Sequence, residues 1–346
     1  MQAKNPYRGL PGRAFWKTGV QQQQPETVQD LYARKFEISP TDCVATAGSC
    51  FAQHIAKRMR ESGYSVLDVE PAPRGMSERH KMAFGYGIYS ARYGNIYTAR
   101  QLLQLVEECR GRFAPANIAW EKGGRWYDAL RPNVEPMGHA SQEEVIAHRE
   151  YHLRHVRGML KRTDVFVFTF GLTEGWVHTE SGTVYPTAPG VLAGDFDPDI
   201  YSFKNFTYEE IFGDFIRVRK ILQKINPNIR FIITVSPVPL AATASGDHVL
   251  SSTVYSKSVL RAAAGALSSR FPDVDYFPSY EIIASSFSGG KYYEEDQRNV
   301  RSEGVDTVMR VFFAQHPPVV TEKSEKVAAN DDVVCEEALL EAFGTR

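Results

Sequence analysis

Apolar residues fall along this chain in two alternating rhythms. Short unbroken runs such as "VFVFTF" and "FIITV" read as strands, and longer stretches with apolar positions three or four apart read as helices. Strands are predicted at 43–47, 65–69, 165–170, 231–236 and 274–277, and helices at 51–62, 98–110, 142–162, 208–225, 255–270 and 302–313. Several of the strand runs are continuously apolar rather than alternating, the pattern of a parallel sheet buried on both faces. Strand and helix in alternation predict a doubly wound α/β domain.

The same pattern sets the expected organisation. Residues 1–40, rich in Arg, Gly, Pro and Gln, read as an irregular N-terminal arm, and 41–315 as the α/β domain. Within it, about 70–135 is too long and too aromatic for a plain crossover and is expected to form an insertion or cap. Residues 316–346 read as a linker and a short C-terminal amphipathic helix, "VCEEALLEAF".

Composition narrows the classes. The chain of 346 residues is 43% hydrophobic and 23% charged, and its 40 Lys plus Arg nearly cancel its 41 Asp plus Glu. No global field would draw it to nucleic acid or an anionic membrane, and no apolar run approaches the ~20 residues of a membrane span. The N-terminus lacks the apolar core of a secretion signal. Four scattered cysteines, Cys43, Cys50, Cys109 and Cys335, form neither a zinc motif nor a disulfide framework, so a cytoplasmic setting is expected. No P-loop, GxGxxG or metal-ligand spacing occurs, so neither a cofactor nor a metal is expected.

In open α/β sheets ligands gather at the carboxyl ends of the strands. There the sequence places "GSC" after the first strand, "GLTEGWVH" after 165–170, "PVPLAATASGDH" after 231–236, and "SYEIIASSFSGGKYYEEDQRNVRSEG" after the last. Ser49 follows Gly48 where strand turns to helix. Its hydroxyl is either a nucleophile beside the helix N-terminus or an N-cap satisfying a helix N–H. Cys50 could be activated by the same helix end or be a small core residue.

"AGSCFAQHIAKRM" resembles the signature of the GSCFA family, which is similar to SGNH-type serine esterases. "ARYGNIYTARQLLQL", "FTFGLTEGWV", "TVSPVPL", "YSKSVLRAAAGAL" and "YFPSYEII" extend the likeness, in order, over about residues 40–315. The resemblance implies a flavodoxin-like three-layer α/β/α fold and makes Ser49 the nucleophile. It matches Gly94 of "RYGNIY" to an oxyanion-hole glycine. It aligns Gly171-Leu172-Thr173-Glu174 with the SGNH Gly-x-Asn-Asp block, where Thr173 replaces the asparagine donor and Glu174 would orient a base or bind a sugar hydroxyl. Where SGNH enzymes carry Asp-x-x-His, this chain has Asp296-Gln297-Arg298-Asn299, and Asn299 cannot act as a base.

Either another residue then supplies the proton acceptor, or the protein is not a triad hydrolase. His248, in the Gly- and Ser-rich loop "ATASGDHVLSS" on the active edge, is the first candidate, and His178 the second. His139, His148, His152 and His155 read as a solvated helix face. Arg298 suits either a substrate anion or pairing with Glu294 or Glu295. The aromatics Tyr86, Tyr89, Tyr93, Tyr97, Trp120, Trp126, Tyr127 and Trp176 suit stacking on a sugar ring as well as core packing. The expected function is a serine esterase or O-acyltransferase acting on a small-molecule or glycan acyl ester, with Ser49, His248 and Asp296 catalytic and Gly94, Gly171, Thr173 and Glu174 binding the oxyanion or substrate. The alternative is an inactive relative that binds a glycan or a partner protein.

Overall fold

The computed structural model describes residues 5–319 together with 339, 340, 343 and 344. Apart from those four positions, the expected C-terminal linker and helix lie, beyond Val319, outside the described residues. In chain order the elements are β1 (Val44–Gly48), α1 (Phe51–Glu61), α2 (Glu78–Ala83), α3 (Ala99–Glu108), β2 (Ala119–Lys122), β3 (Arg125–Asp128), α4 (Gln142–Arg162), β4 (Val165–Phe170), β5 (Glu174–His178), β6 (Val184–Tyr185), β7 (Tyr201–Asn205), α5 (Tyr208–Ile225), β8 (Arg230–Val235), α6 (Val249–Arg270), β9 (Val274–Tyr276), α7 (Ser279–Ala284) and α8 (Ser302–Gln315).

The central sheet has the order β1-β4-β8-β9, all parallel. Its strands alternate between two apolar layers, which is why their runs are unbroken. Phe166, Phe168, Phe170, Phe231, Ile233 and Val235 point into one core with α3, α4, α5 and α6. Val44, Val165, Val167 and Ile232 point into the other with α1, α7 and α8. The result is a three-layer α/β/α fold.

The expected strand at 65–69 is reduced to one parallel bridge, Val44 with Val66. Val44 N–H donates to the Ser65 carbonyl (2.9 Å) and Leu67 N–H to the Val44 carbonyl (2.8 Å). Beyond Leu67 the chain leaves β1, and Val69 N–H turns to the Ser90 carbonyl (3.0 Å). Counting this bridge as the second strand, the sheet has the doubly wound order 2-1-3-4-5, whose switch point lies between β1 and β4. Two further sheets escaped the sequence pattern: the β2–β3 hairpin and the antiparallel β6-β5-β7 sheet. Among the described residues no helix is long and apolar enough to cross a membrane.

The stretch from 70 to 135 is fastened by buried charge. Arg131 pairs with Asp128 (2.7 Å), Arg149 of α4 reaches Asp128 (3.2 Å) and Glu108, and Arg92 pairs with Glu135 (2.7 Å). Burial alone would raise the Asp128 pKa, but Arg149 and Arg131 outweigh it and hold the carboxyl down at about 2. His152 belongs to this network rather than to a solvated helix face. It is buried, with Nδ1 2.7 Å from Glu70 Oε2, because residues 70–135 fold across that side of α4. Burial pushes the imidazole down to about 4, with Arg131 adding to the effect, while Glu70 opposes it.

At the switch point β1 and β4 approach closely. Gly48 has φ +139°, and a Cβ there would lie 2.7 Å from Thr169 N and 2.9 Å from Thr169 Cβ. Backbone cannot move aside as a flexible side chain can, so Gly48→Ala should cost at least about 3 kcal/mol in denaturant unfolding. Gly213→Ala, on α5 with nothing within 4 Å of its added Cβ, should instead gain about 0.5–1 kcal/mol. His152 makes a pH-dependent contribution. Its folded pKa lies below the unfolded value of ~6.5, so the stability it confers is present above that pH and is lost as pH falls toward 4. The stability gap between wild type and His152→Gln, measured by urea unfolding, should therefore narrow between pH 7 and about 4.

Candidate active site

Ser49 follows the last residue of β1 at the switch point and is 2% exposed. Its N–H donates to the Thr169 carbonyl on β4 (3.1 Å), which locks the residue to the sheet and takes that N–H away from any oxyanion. The N-cap of α1 is Cys50, with no side-chain cap hydrogen bond. The Ser49 hydroxyl therefore does not cap the helix, and among the described residues Oγ has no hydrogen-bond partner. A buried hydroxyl left this way costs about 1–3 kcal/mol.

The residue facing Ser49 is Gly171, just past β4. A Cβ on Gly171 would lie 2.8 Å from Ser49 Cβ and 3.1 Å from Tyr97 Cδ1. Glycine here lets the two strand ends close on one another. Its N–H is taken by the Tyr97 carbonyl (2.9 Å). Its carbonyl accepts a hydrogen bond from Lys257 Nζ at 2.7 Å. Lys257 is 1% exposed, and its neighbour Ser256 accepts the Thr173 N–H at 3.0 Å. Thr173 is fully buried, and its Oγ1 has no partner among the described residues. Two hydroxyls near Gly171 in the chain or in space, Ser49 Oγ and Thr173 Oγ1, thus have no hydrogen-bond partner among the described residues.

A second wall comes from the loop before α3. Gly94, with φ +66°, turns the chain so that Asn95 points inward, 3% exposed. Ile96 N–H donates to the Gly48 carbonyl (2.9 Å), pinning this loop to the end of β1. The Tyr89 hydroxyl hydrogen-bonds the Ser49 carbonyl (3.0 Å) and Asn95 Oδ1 (2.5 Å), and Gln53 Nε2 donates to the same oxygen (3.2 Å). Asn95 is thereby tied through Tyr89 to the Ser49 backbone, and it stands outside the oxyanion donors expected from the sequence, which were the Ser49 N–H, Gly94 and Thr173.

Beside Leu172 opens a groove of about 330 Å³, lined in part by Glu174, Trp176, Phe203, Leu240 and Thr243. Glu174 accepts a hydrogen bond from Thr243 Oγ1 (2.8 Å), and burial raises its pKa against that bond. Of the aromatics named for sugar stacking, Tyr89, Tyr93, Tyr97 and Trp120 are buried in the packed interior. Trp176 remains partly exposed in the groove.

The candidate bases have other engagements. α6 begins at Val249, not at 255, so His248 is not in a mobile loop. It is the helix N-cap, exposed, with Nδ1 accepting the Leu250 N–H (3.2 Å). His178 Nδ1 accepts the Ser181 N–H (3.3 Å) in the turn after β5. Neither imidazole is hydrogen-bonded to Ser49 Oγ. Asp296 is exposed and bound within its own loop, by the N–H groups of Arg298 and Asn299 (2.9 Å each) and by Asn299 Nδ2 (2.6 Å). Burial acts to raise its pKa, but these hydrogen bonds outweigh it and lower the carboxyl. Its loop is held at the end of β8 by the Tyr293 hydroxyl, which donates to the Pro237 carbonyl (2.7 Å). Arg298 is 8% exposed. Cys50 packs in the core shared by α1, α7 and α8. Among the described residues no group of side chains is arranged to hold a metal ion.

Lys257 was passed over because a lysine in a helix reads as surface. The signal was there, however. Lys257, Leu260, Ala264 and Leu267 fall on one helical stripe, and all four are buried.

No curated protein matches this chain. Among solved structures, a carbohydrate esterase family 3 from Talaromyces cellulolyticus is similar at 11% identity and a TM-score of 0.32, over 80% of this chain and 96% of its own. The GSCFA family profile matches residues 43–312, a span that holds β1, Ser49, the facing Gly171 and all of the central sheet. The protein belongs to the GSCFA family.

Proposed function

We propose that the protein is a serine esterase or O-acyltransferase in which Ser49 attacks the carbonyl of an acyl ester. One observation carries this reading: a buried serine hydroxyl that has no partner among the described residues, held at the switch point of a doubly wound sheet. A serine kept for packing would have its hydroxyl satisfied or replaced. The attacking Oγ leaves a tetrahedral oxyanion, for which Thr173 Oγ1 and the Asn95 amide are the donors. Each such donor is worth roughly 3 kcal/mol in a water-excluded site. The groove beyond Leu172 receives the rest of the substrate. Trp176 and Phe203 offer aromatic faces, and Glu174 with Thr243 forms a polar edge, a combination that suits an acylated carbohydrate. Water or an acceptor hydroxyl then takes the acyl group.

A binding protein without catalysis is the second reading. It is favoured by one fact, that no imidazole meets Ser49 Oγ. A fluorophosphonate probe separates the two. Wild type and Cys50→Ala should label, and Ser49→Ala should not. Hydrolysis of a p-nitrophenyl acetate reporter should fall at least about 1,000-fold in Ser49→Ala. Unlabelled, folded wild type would abandon the esterase reading for the binding protein.

A further inference from the structure

We propose that Lys257 is the proton acceptor for Ser49, in the place that the histidine of a serine triad would hold. The inference rests on the esterase reading and goes beyond it by naming the base. Lys257 Nζ and Ser49 both lie against Gly171. Nζ lies 2.7 Å from the Gly171 carbonyl oxygen, and Ser49 Cβ lies 2.8 Å from where a Cβ on Gly171 would be. No side chain on Gly171 stands between them. The lysine enters from α6, whose position against the β4–β5 connection is set by the adjacent Ser256 hydrogen bond to Thr173 N–H. A lysine with 1% exposure is costly to keep in a core unless it has work there. Its four-carbon stem and rotatable terminus let Nζ swing from the carbonyl toward Oγ as substrate enters, in keeping with catalytic hydrogen bonds that tighten only in the complex. Serine–lysine pairs recur as variants of the triad on unrelated folds.

The steps balance. Lys257 must enter the cycle as the uncharged amine: as the Ser49 Oγ–H bond breaks, the new O–C bond forms to the acyl carbon, and the proton moves to the lone pair of that amine. When the tetrahedral intermediate collapses, the C–O bond to the leaving alcohol breaks and Nζ returns the proton to that oxygen. In the second half Nζ takes a proton from water or the acceptor hydroxyl as that oxygen attacks the acyl-enzyme. When this second tetrahedral intermediate collapses, the Ser49 Oγ–C bond breaks, the acyl group leaves on the attacking oxygen as acid or ester, and Nζ returns the proton to Ser49 Oγ.

The test is the fluorophosphonate labelling rate of the full chain, with folding followed by circular dichroism. Lys257→Gln can still donate to the Gly171 carbonyl but cannot accept a proton, whereas Lys257→Met removes both functions at similar volume. Both should label at least about 100-fold more slowly than wild type, and His248→Ala at the wild-type rate. Lys257→Gln labelling within threefold of wild type would overturn the proposal and leave the lysine a structural donor. So would loss of labelling in His248→Ala with Lys257→Gln unaffected. If Lys257→Met does not fold, Lys257→Gln alone decides. Wild type that labels, with Ser49→Ala that does not, keeps the esterase reading intact whichever way the lysine variants fall.

Discussion

The approach of β1 to β4 at their carboxyl ends is the constraint on which the rest of the site depends. With Gly48 and Gly171 on the two strand ends, the backbones come close enough for Ser49 N–H to bond the Thr169 carbonyl. That bond fixes where the serine's Cα lies, and the absence of a side chain on Gly171 leaves room for the serine's own. Everything else arranged there is held against this contact. The loop carrying Asn95 is tied to Gly48 O, and the Tyr97 carbonyl takes two N–H groups of the Gly171 turn. α6 is tied to the same turn by Ser256 and Lys257.

A different force shapes the outer part of the molecule. In the stretch from 70 to 135 short elements, α2, α3 and the β2–β3 hairpin, are joined by long irregular segments, and buried arginine–carboxylate contacts tie them together. Arg149 of α4 joins Glu108 at the end of α3 to Asp128 at the end of β3, and Arg92 accepts the job of closing the loop over Phe84 and Val134. Each guanidinium meets several acceptors at once, the condition under which buried charge is tolerated. The same stretch supplies Tyr89 and Asn95 beside Ser49, so the ion network and Ser49 are joined through hydrogen bonds.

Much of the central domain was legible. The strands at 165–170, 231–236 and 274–277 and the helices at 51–62, 142–162 and 208–225 could be read because burial on both faces writes a strong local pattern. The short β5-β6-β7 sheet was not legible, since its strands are held by aromatic cross-strand packing, such as Trp176 with Phe203, rather than by an apolar run. The start of α6 was missed because its first turn, "VLSS", continues a polar loop, and the capping bond from Leu250 N–H to His248 is visible only in three dimensions.

By itself the sequence determined the α/β class, the strand ends where chemistry would gather, and Ser49 after Gly48 as the residue to examine. These follow from periodicity and from backbone geometry, which are local. Only the tertiary structure decided which side chains meet Ser49. It turned His248 into a helix cap, drew His152 into a buried pair with Glu70, and brought Lys257, 208 positions along the chain from Ser49, to the Gly171 carbonyl. Contacts between residues so far apart are set by how the layers pack, and no local pattern records that.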